Sequence, residues 1–173
     1  MVIHNFNDKY PKIDSTVFID PTATIIGDVQ IDSFGSIWPN AVLRGDSQLI
    51  KIGKNVNIQD NVVIHTESNN QVTIGNNVSV GHGAILHGCI IGDNVLIGMG
   101  SLILDNARIN DWVLIGAGAI VTPDTFISSK SLAFGIPCKV VRQLDDNDIK
   151  YISSNAKEYV ALSRQYKTHY EKL

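Results

Sequence analysis

Residues 91–109 read Ile91-Gly92-Asp93-Asn94-Val95-Leu96-Ile97-Gly98-Met99-Gly100-Ser101-Leu102-Ile103-Leu104-Asp105-Asn106-Ala107-Arg108-Ile109. An isoleucine stands at every sixth position: 91, 97, 103 and 109. Four residues after each of the first three comes a small or β-branched residue, Val95, Ser101 or Ala107. An amphipathic helix repeats at about 3.6 residues and a strand at about 2. A period of six is neither. It describes a short strand and a turn, with one large side chain filling an interior and one small one where the chain bends. Repeated, such hexads wind into coils whose neighbours pair in parallel about 4.8 Å apart.

Working outward, the same leading position holds Ile19, Ile25, Ile31, Ile37, Leu43, Ile52, Ile58, Ile64, Ile74, Val80, Leu86, Ile115, Val121 and Ile127. All 18 leaders are Ile, Leu or Val, and 14 are Ile. The register slips by three extra residues before Ile52, four extra before Ile74 and one missing before Ile91. Ile90 alone breaks the rule of a small residue four places on. Three hexads per coil give about six coils. Gly and Asn gather at the turns (Gly53, Asn55, Gly75, Asn76, Asn77, Gly92, Asn94), where positive φ is expected.

Composition agrees and narrows the function classes. The 173 residues hold 24 Ile and 16 Val, the β-branched excess of a strand-rich chain. Only 18% are charged and the net charge is −3, which excludes a mainly disordered chain and argues against a nucleic-acid partner. No apolar run reaches the roughly 18–20 residues of a membrane span. Met1-Val2-Ile3-His4-Asn5 lacks the basic and apolar regions of a secretion signal. Cys89 and Cys138 make neither a disulfide framework nor a zinc motif, which fits a reducing, cytoplasmic setting. From Ile136 the period changes. Leu144-Asp145-Asp146-Asn147-Asp148 offers N-cap residues, and Ile149, Ile152, Ala156, Tyr159, Val160, Tyr166 and Tyr170 recur at helical spacing. One domain over 1–173 is expected: a β-helix at about 17–135, a connection at 136–144, and an α-helix at 145–171 packed on the outside.

The hexad phases sort the histidines. His65 follows leader Ile64 and His87 follows leader Leu86, three hexads on, so they stack at one corner of adjacent coils. His82 lies two places after Val80 and a third of a turn away, so within one chain it cannot join them. It can do so across an interface between copies, where three-fold symmetry makes equivalent sites. Three imidazoles with an open position is the arrangement of a catalytic zinc site. By the same phases Arg44 stacks beneath His65 and Asp60 beneath His82. Arg44 of one chain would then face Asp60 of its neighbour, and Gln59 would point toward the pocket to bond a water or substrate.

Arg44-Gly45-Asp46, Asn57-Ile58-Gln59-Asp60, His65, and Gly81-His82-Gly83-Ala84-Ile85-Leu86-His87-Gly88 together resemble the γ-class carbonic anhydrases and their short bacterial relatives. Ile97-Gly98-Met99-Gly100 and Gly135-Ile136-Pro137-Cys138-Lys139 fit the same group. The resemblance implies a left-handed parallel β-helix, an all-β solenoid, in a homotrimer. It implies zinc at the positions matching His65, His82 and His87, with Fe2+ or Co2+ able to use the same ligands. It implies pocket roles for Arg44, Asp46, Asn57, Gln59 and Asp60, and a helix tyrosine, Tyr159, near the metal. The implied activity is that of a lyase converting CO2 and bicarbonate. The chain departs from the founding enzymes in its short segment Thr66–Thr73, where Glu67 is the one carboxylate, and in Ser47 after Asp46. Proton export is correspondingly weakly provided, which points to low activity. The other readings of this fold are an acyl-CoA-dependent acyltransferase, a thioester hydrolase using the same metal, and a non-catalytic scaffold subunit.

Overall fold

The computed structural model describes residues 2–170 and 172. Met1, Glu171 and Leu173 lie outside the described residues, and with them the expected helix end at 171. The chain forms a three-sided parallel β-solenoid. One face stacks Phe18–Ile19, Ser36–Ile37, Asn57–Ile58, Ser79–Val80, Leu96–Ile97, Val113–Ile115 and Ser131–Phe134. A second stacks Val2–His4, residues 24–26, residues 42–44, Val63–His65, Ile85–His87, Leu102–Ile103 and Ile120–Val121. A third runs from Lys12–Ile13 through residues 29–31 and 50–52 to Val72–Ile74, Ile90–Ile91, Arg108–Ile109 and Phe126–Ile127. The long strands Thr24–Ile31 and Val42–Ile52 bend round the corner between the second and third faces and join them into one sheet.

The described residues make about seven turns, not six. The extra turn precedes residue 17 and is carried by Val2–His4 and Lys12–Ile13. Among the described residues nothing stacks beneath it, and Ile3 is exposed and Ile13 half-buried. The six-residue period weakens there because its cause, a closed interior, is absent.

Above that turn, strand pairing aligns leader on leader. Ile25, Leu43, Ile64, Leu86, Ile103 and Val121 form one column. Ile31, Ile52, Ile74, Ile91, Ile109 and Ile127 form a second, and Ile19, Ile37, Ile58, Val80, Ile97 and Ile115 a third. All leaders except half-buried Ile19 are buried. Burying each such side chain is worth about 1.5–3 kcal/mol. The slip before Ile91 also has its reason. Cys89 occupies the inner slot two places before that leader and Ile90 faces outward. In the same way Ile50 and Val72 fill the inner slots after the two insertions.

The turn residues divide into two kinds. Asn55, Asn77 and Asn94 adopt positive φ (57°, 55° and 55°) and bond side chain to side chain up the stack. Gly53, Gly75 and Gly92 do not have positive φ, against expectation. They are glycine because a Cβ would come within 2.9 Å of the backbone of the next coil.

Residues 139–143, expected to be a plain connection, form strand Lys139–Gln143, antiparallel on Ser131–Phe134. The helix Asp146–Tyr170 then returns down the first face. Its start is a reciprocal cap. The Asp145 carboxylate accepts the N–H groups of Asn147 and Asp148, while Asp148 accepts the N–H of Asp145 and the guanidinium of Arg142. Ile152 and Ala156 are buried against the coils. Trp38, also buried, packs edge-on against Tyr159 and Tyr166, and Phe18 meets Tyr166 and Tyr170.

Candidate metal centre

His65 and His87 end adjacent strands of the second face and are direct register partners, with Arg44 the partner of His65 one coil below. The stacking read from hexad phase is therefore the observed one. His65 Nδ1 and His87 Nε2 are 3.1 Å apart. The remaining nitrogen of each ring meets a carboxylate: His65 Nε2 lies 3.1 Å from Asp46 Oδ1, and His87 Nδ1 lies 2.6 Å from Asp105 Oδ1. Arg44 bonds the other oxygen of Asp46 at 2.5 Å. Burial alone would push the Asp46 carboxyl up, but the hydrogen bonds from Arg44 and His65 outweigh it and hold the group below the usual carboxylate range. Gly45 belongs in this corner because a Cβ there would come within 2.5 Å of the Asp28 carbonyl.

His82 stands on the turn after Ser79–Val80. Its Nδ1 lies 2.8 Å from Asp60 Oδ2, so Asp60 supports it as the phases imply. Its backbone N–H donates to Gln59 Oε1 (3.2 Å), Gln59 Nε2 donates to Asn57 Oδ1 (3.0 Å), and Asn57 Nδ2 donates to Ser79 Oγ (2.8 Å). Gln59 is thus 6% exposed with both ends of its amide engaged. It props His82 as well as lining the cleft beside it. That cleft, about 310 Å³, lies between the helix and the first face and is lined by Gln59, His82, Met99, Asn155 and Tyr159 among others. Burial, and secondarily Asp60, pushes the Tyr159 hydroxyl above its ordinary pKa, so it stays a hydrogen-bond donor at neutral pH.

The structure thus builds two separate clusters. Arg44, Asp46, His65, His87 and Asp105 form one, and Asn57, Gln59, Asp60, His82 and Tyr159 the other. Arg44 pairs with Asp46 inside the chain. Asp105 was not among the residues expected. It stands two places after leader Ile103, on the turn one place past the position stacked over His87, so phase put Leu104 there and only the structure shows the Asp105 carboxylate reaching back to the ring. Among the described residues no group of three His, Cys, Asp or Glu side chains in the single chain is arranged to hold a metal ion.

The donor set fits a metal of the zinc kind. If each imidazole gives its N–H to its aspartate, His65 Nδ1 and His87 Nε2 face each other with lone pairs. At 3.1 Å they call for a shared proton or a cation. Two nitrogens on one tetrahedral zinc stand about 3.3 Å apart, given Zn–N bonds of about 2.0–2.1 Å. The carboxylate behind each ring is the support that metal-bound histidines commonly have.

A three-sided parallel solenoid of six-residue repeats defines the hexapeptide class, and residues 88–123 match the family model described as bacterial transferase hexapeptide (six repeats). The chain is 45% identical over 166 residues to a carbonic anhydrase of Geobacillus kaustophilus, covering 96% of this chain and 91% of the relative. It is 40% identical to the mitochondrial gamma carbonic anhydrase 2 of Arabidopsis thaliana, over 92% of this chain and 60% of the relative. The chain belongs to the γ-class carbonic anhydrase-like family of hexapeptide-repeat proteins. It spans about three fifths of the length of the plant relatives it matches. Among solved structures, the BC4754 gene product of Bacillus cereus superposes with a TM-score of 0.96 at 41% identity, over 96% of this chain and 97% of that one. The N-acyltransferase AntD of Bacillus cereus, 16% identical with a TM-score of 0.58, shares the fold.

Proposed function

We propose that this chain is a metal-dependent carbonic anhydrase-like lyase that interconverts CO2 and bicarbonate. It works as a homotrimer in the cytoplasm, with one zinc per chain held by His65 and His87 of one protomer and His82 of the next. Solenoid and helix act as one domain. The observation that carries this reading is the pairing of each candidate ligand with its own aspartate: Asp46, Asp60 and Asp105 each hold one ring nitrogen. Each imidazole is thereby oriented with its other nitrogen available.

A bound metal ion would supply acidification of a water molecule and readiness for attack on CO2. The chain's own groups do the rest. Asp46, Asp60 and Asp105 fix the imidazole tautomers. Arg44 keeps Asp46 ionised and in place. Asn57 and Gln59 hold the backbone of His82, and Tyr159 offers an O–H at the cleft. The segment after His65 closes in a tight turn, with Glu67 and Asn70 bonded backbone to backbone. Exposed Glu67 is the carboxylate there, which supports slow proton export and modest turnover.

The test is stopped-flow CO2 hydration by protein loaded with zinc, iron or cobalt, beside metal quantification. One metal per chain and metal-dependent hydration are expected. No stoichiometric metal, or no hydration with any metal, would overturn the reading. Acyl-CoA co-purifying with the protein in the absence of metal would instead favour an acyltransferase, the activity named for AntD.

A further inference from the structure

The first coil reaches the metal centre through one side chain. Phe6 and Lys9 close a tight turn with paired backbone hydrogen bonds, each N–H donating to the other's carbonyl at 3.0 Å. The Lys9 ammonium leaves this turn and donates to the carbonyl oxygens of Asp46 (2.7 Å) and Ser47 (2.6 Å). Those carbonyls come from the three-residue insertion before Ile52. Strand pairing runs as far as Gly45, opposite Gly27, and resumes at Ile50, opposite Val29 and Val72. Residues 46–49 have no register partner between, and a peptide group without a partner must find one elsewhere. Gln48 finds its own: its N–H donates to Thr66 Oγ1 and its side chain to the Ser68 carbonyl. For the carbonyls of 46 and 47, Lys9 is that partner.

We infer that Lys9 is a positioning residue for the metal centre, holding the backbone of Asp46 so that its carboxylate can grip His65 and Arg44. Lys9 touches neither imidazole. It acts through a charge-assisted double contact to two consecutive carbonyls, which fixes where the Asp46 carboxylate sits. The first coil is then a brace for the site as well as a member of the stack. This inference rests on the metal reading above.

The test compares the wild type with Lys9→Met, which keeps the stem and removes the charge, and Lys9→Arg, which restores donors. Three quantities are read: zinc affinity by chelator competition, amide exchange across residues 44–48, and melting temperature of the metal-free protein. Lys9→Met should weaken zinc binding by about tenfold, the lower end of what outer-shell partners contribute. It should also speed exchange at 45–47, leave 48 protected and leave the melting temperature near that of the wild type, with Lys9→Arg recovering part of the affinity. Unchanged zinc affinity or unchanged exchange in Lys9→Met would overturn the inference alone. So would a melting temperature that falls in step with affinity, because the effect would then be general loosening. A wild type that binds no zinc would overturn the parent reading and this one together.

Discussion

The corner that carries His65 and His87 and the corner that carries His82 rest on the same repeat yet are built to different degrees. At the first, two imidazoles face each other, their side chains 21% and 26% exposed, held by Asp46, Asp105, Arg44 and the reach of Lys9. At the second, a single imidazole stands 45% exposed on a turn, with Asp60 behind it and an open cleft beside it. The first holds two imidazoles in fixed contact, and the second presents one outward; in the proposed function they are a prepared seat for an ion and a ligand offered to a neighbouring copy. Under the proposed function, His65 and His87 would supply two ligands from one chain and His82 the third from a neighbouring copy.

The largest effect should come from emptying the prepared seat. His87→Ala should abolish stoichiometric metal binding, as measured by elemental analysis, because His65 and a neighbour's His82, the two imidazoles left, cannot retain the ion. Retention of metal near the wild-type level would break the comparison. Next come the columns beneath each corner. Ile64→Ala and Ile58→Ala each remove a fully buried side chain from the stack and should cost about 2–5 kcal/mol in denaturant unfolding. Similar costs would show that the corners differ in their sites and share one scaffold. A large inequality would say that the scaffold itself is uneven.

The carboxylates sharpen the contrast further. Asp105→Asn should lower metal affinity by about 10–100-fold, and Asp60→Asn by the lower end of that range, because the His82 ring is more exposed and less fixed. Equal losses in chelator competition would contradict the difference in preparedness. The smallest effect belongs to the helix that walls the His82 cleft. Asp148→Ala removes both the reciprocal cap and the Arg142 pair, and should lower stability by about 1 kcal/mol. The hydrogen bond from Arg142, then that from Asp145, holds the Asp148 carboxyl below its usual range. A depressed carboxylate contributes stability that is fully present above its unfolded pKa of about 3.9 and is lost as pH falls through the lower folded value. The wild type and Asp148→Ala should therefore differ at neutral pH and converge in acid. A difference that grew on acidification would reverse the assignment.

The stacked coils were legible because a closed interior imposes one rule at each turn. The column Ile64, Leu86, Ile103 can be read off by counting sixes with three corrected slips. Hexad phase also placed His65 over Arg44 and His82 over Asp60, since register partners follow from leader position. Where the rule lapses, reading fails for a physical reason. Among the described residues no coil lies beneath the first, so its strands bury no leader on that side. Strand Lys139–Gln143 is exposed along its length and held by antiparallel backbone pairing, which leaves no side-chain pattern. Gln59 reads as a pocket residue from its place beside Asp60, but its engagement with Asn57 and His82 depends on rotamers that spacing does not encode. Lys9 lies 37 positions from Asp46, in a turn with no repeat to index it.

The proposed division of the ligand set between copies is tested most directly by mixing two variants, one carrying His82→Ala and the other carrying His65→Ala with His87→Ala. Each alone should bind no stoichiometric metal. Unfolded together and refolded, every mixed trimer should regain one site, formed by His65 and His87 of the first variant and His82 of the second, with metal appearing only in the mixed species. Failure to regain metal on mixing, or full metal in the His82→Ala protein alone, would contradict the account.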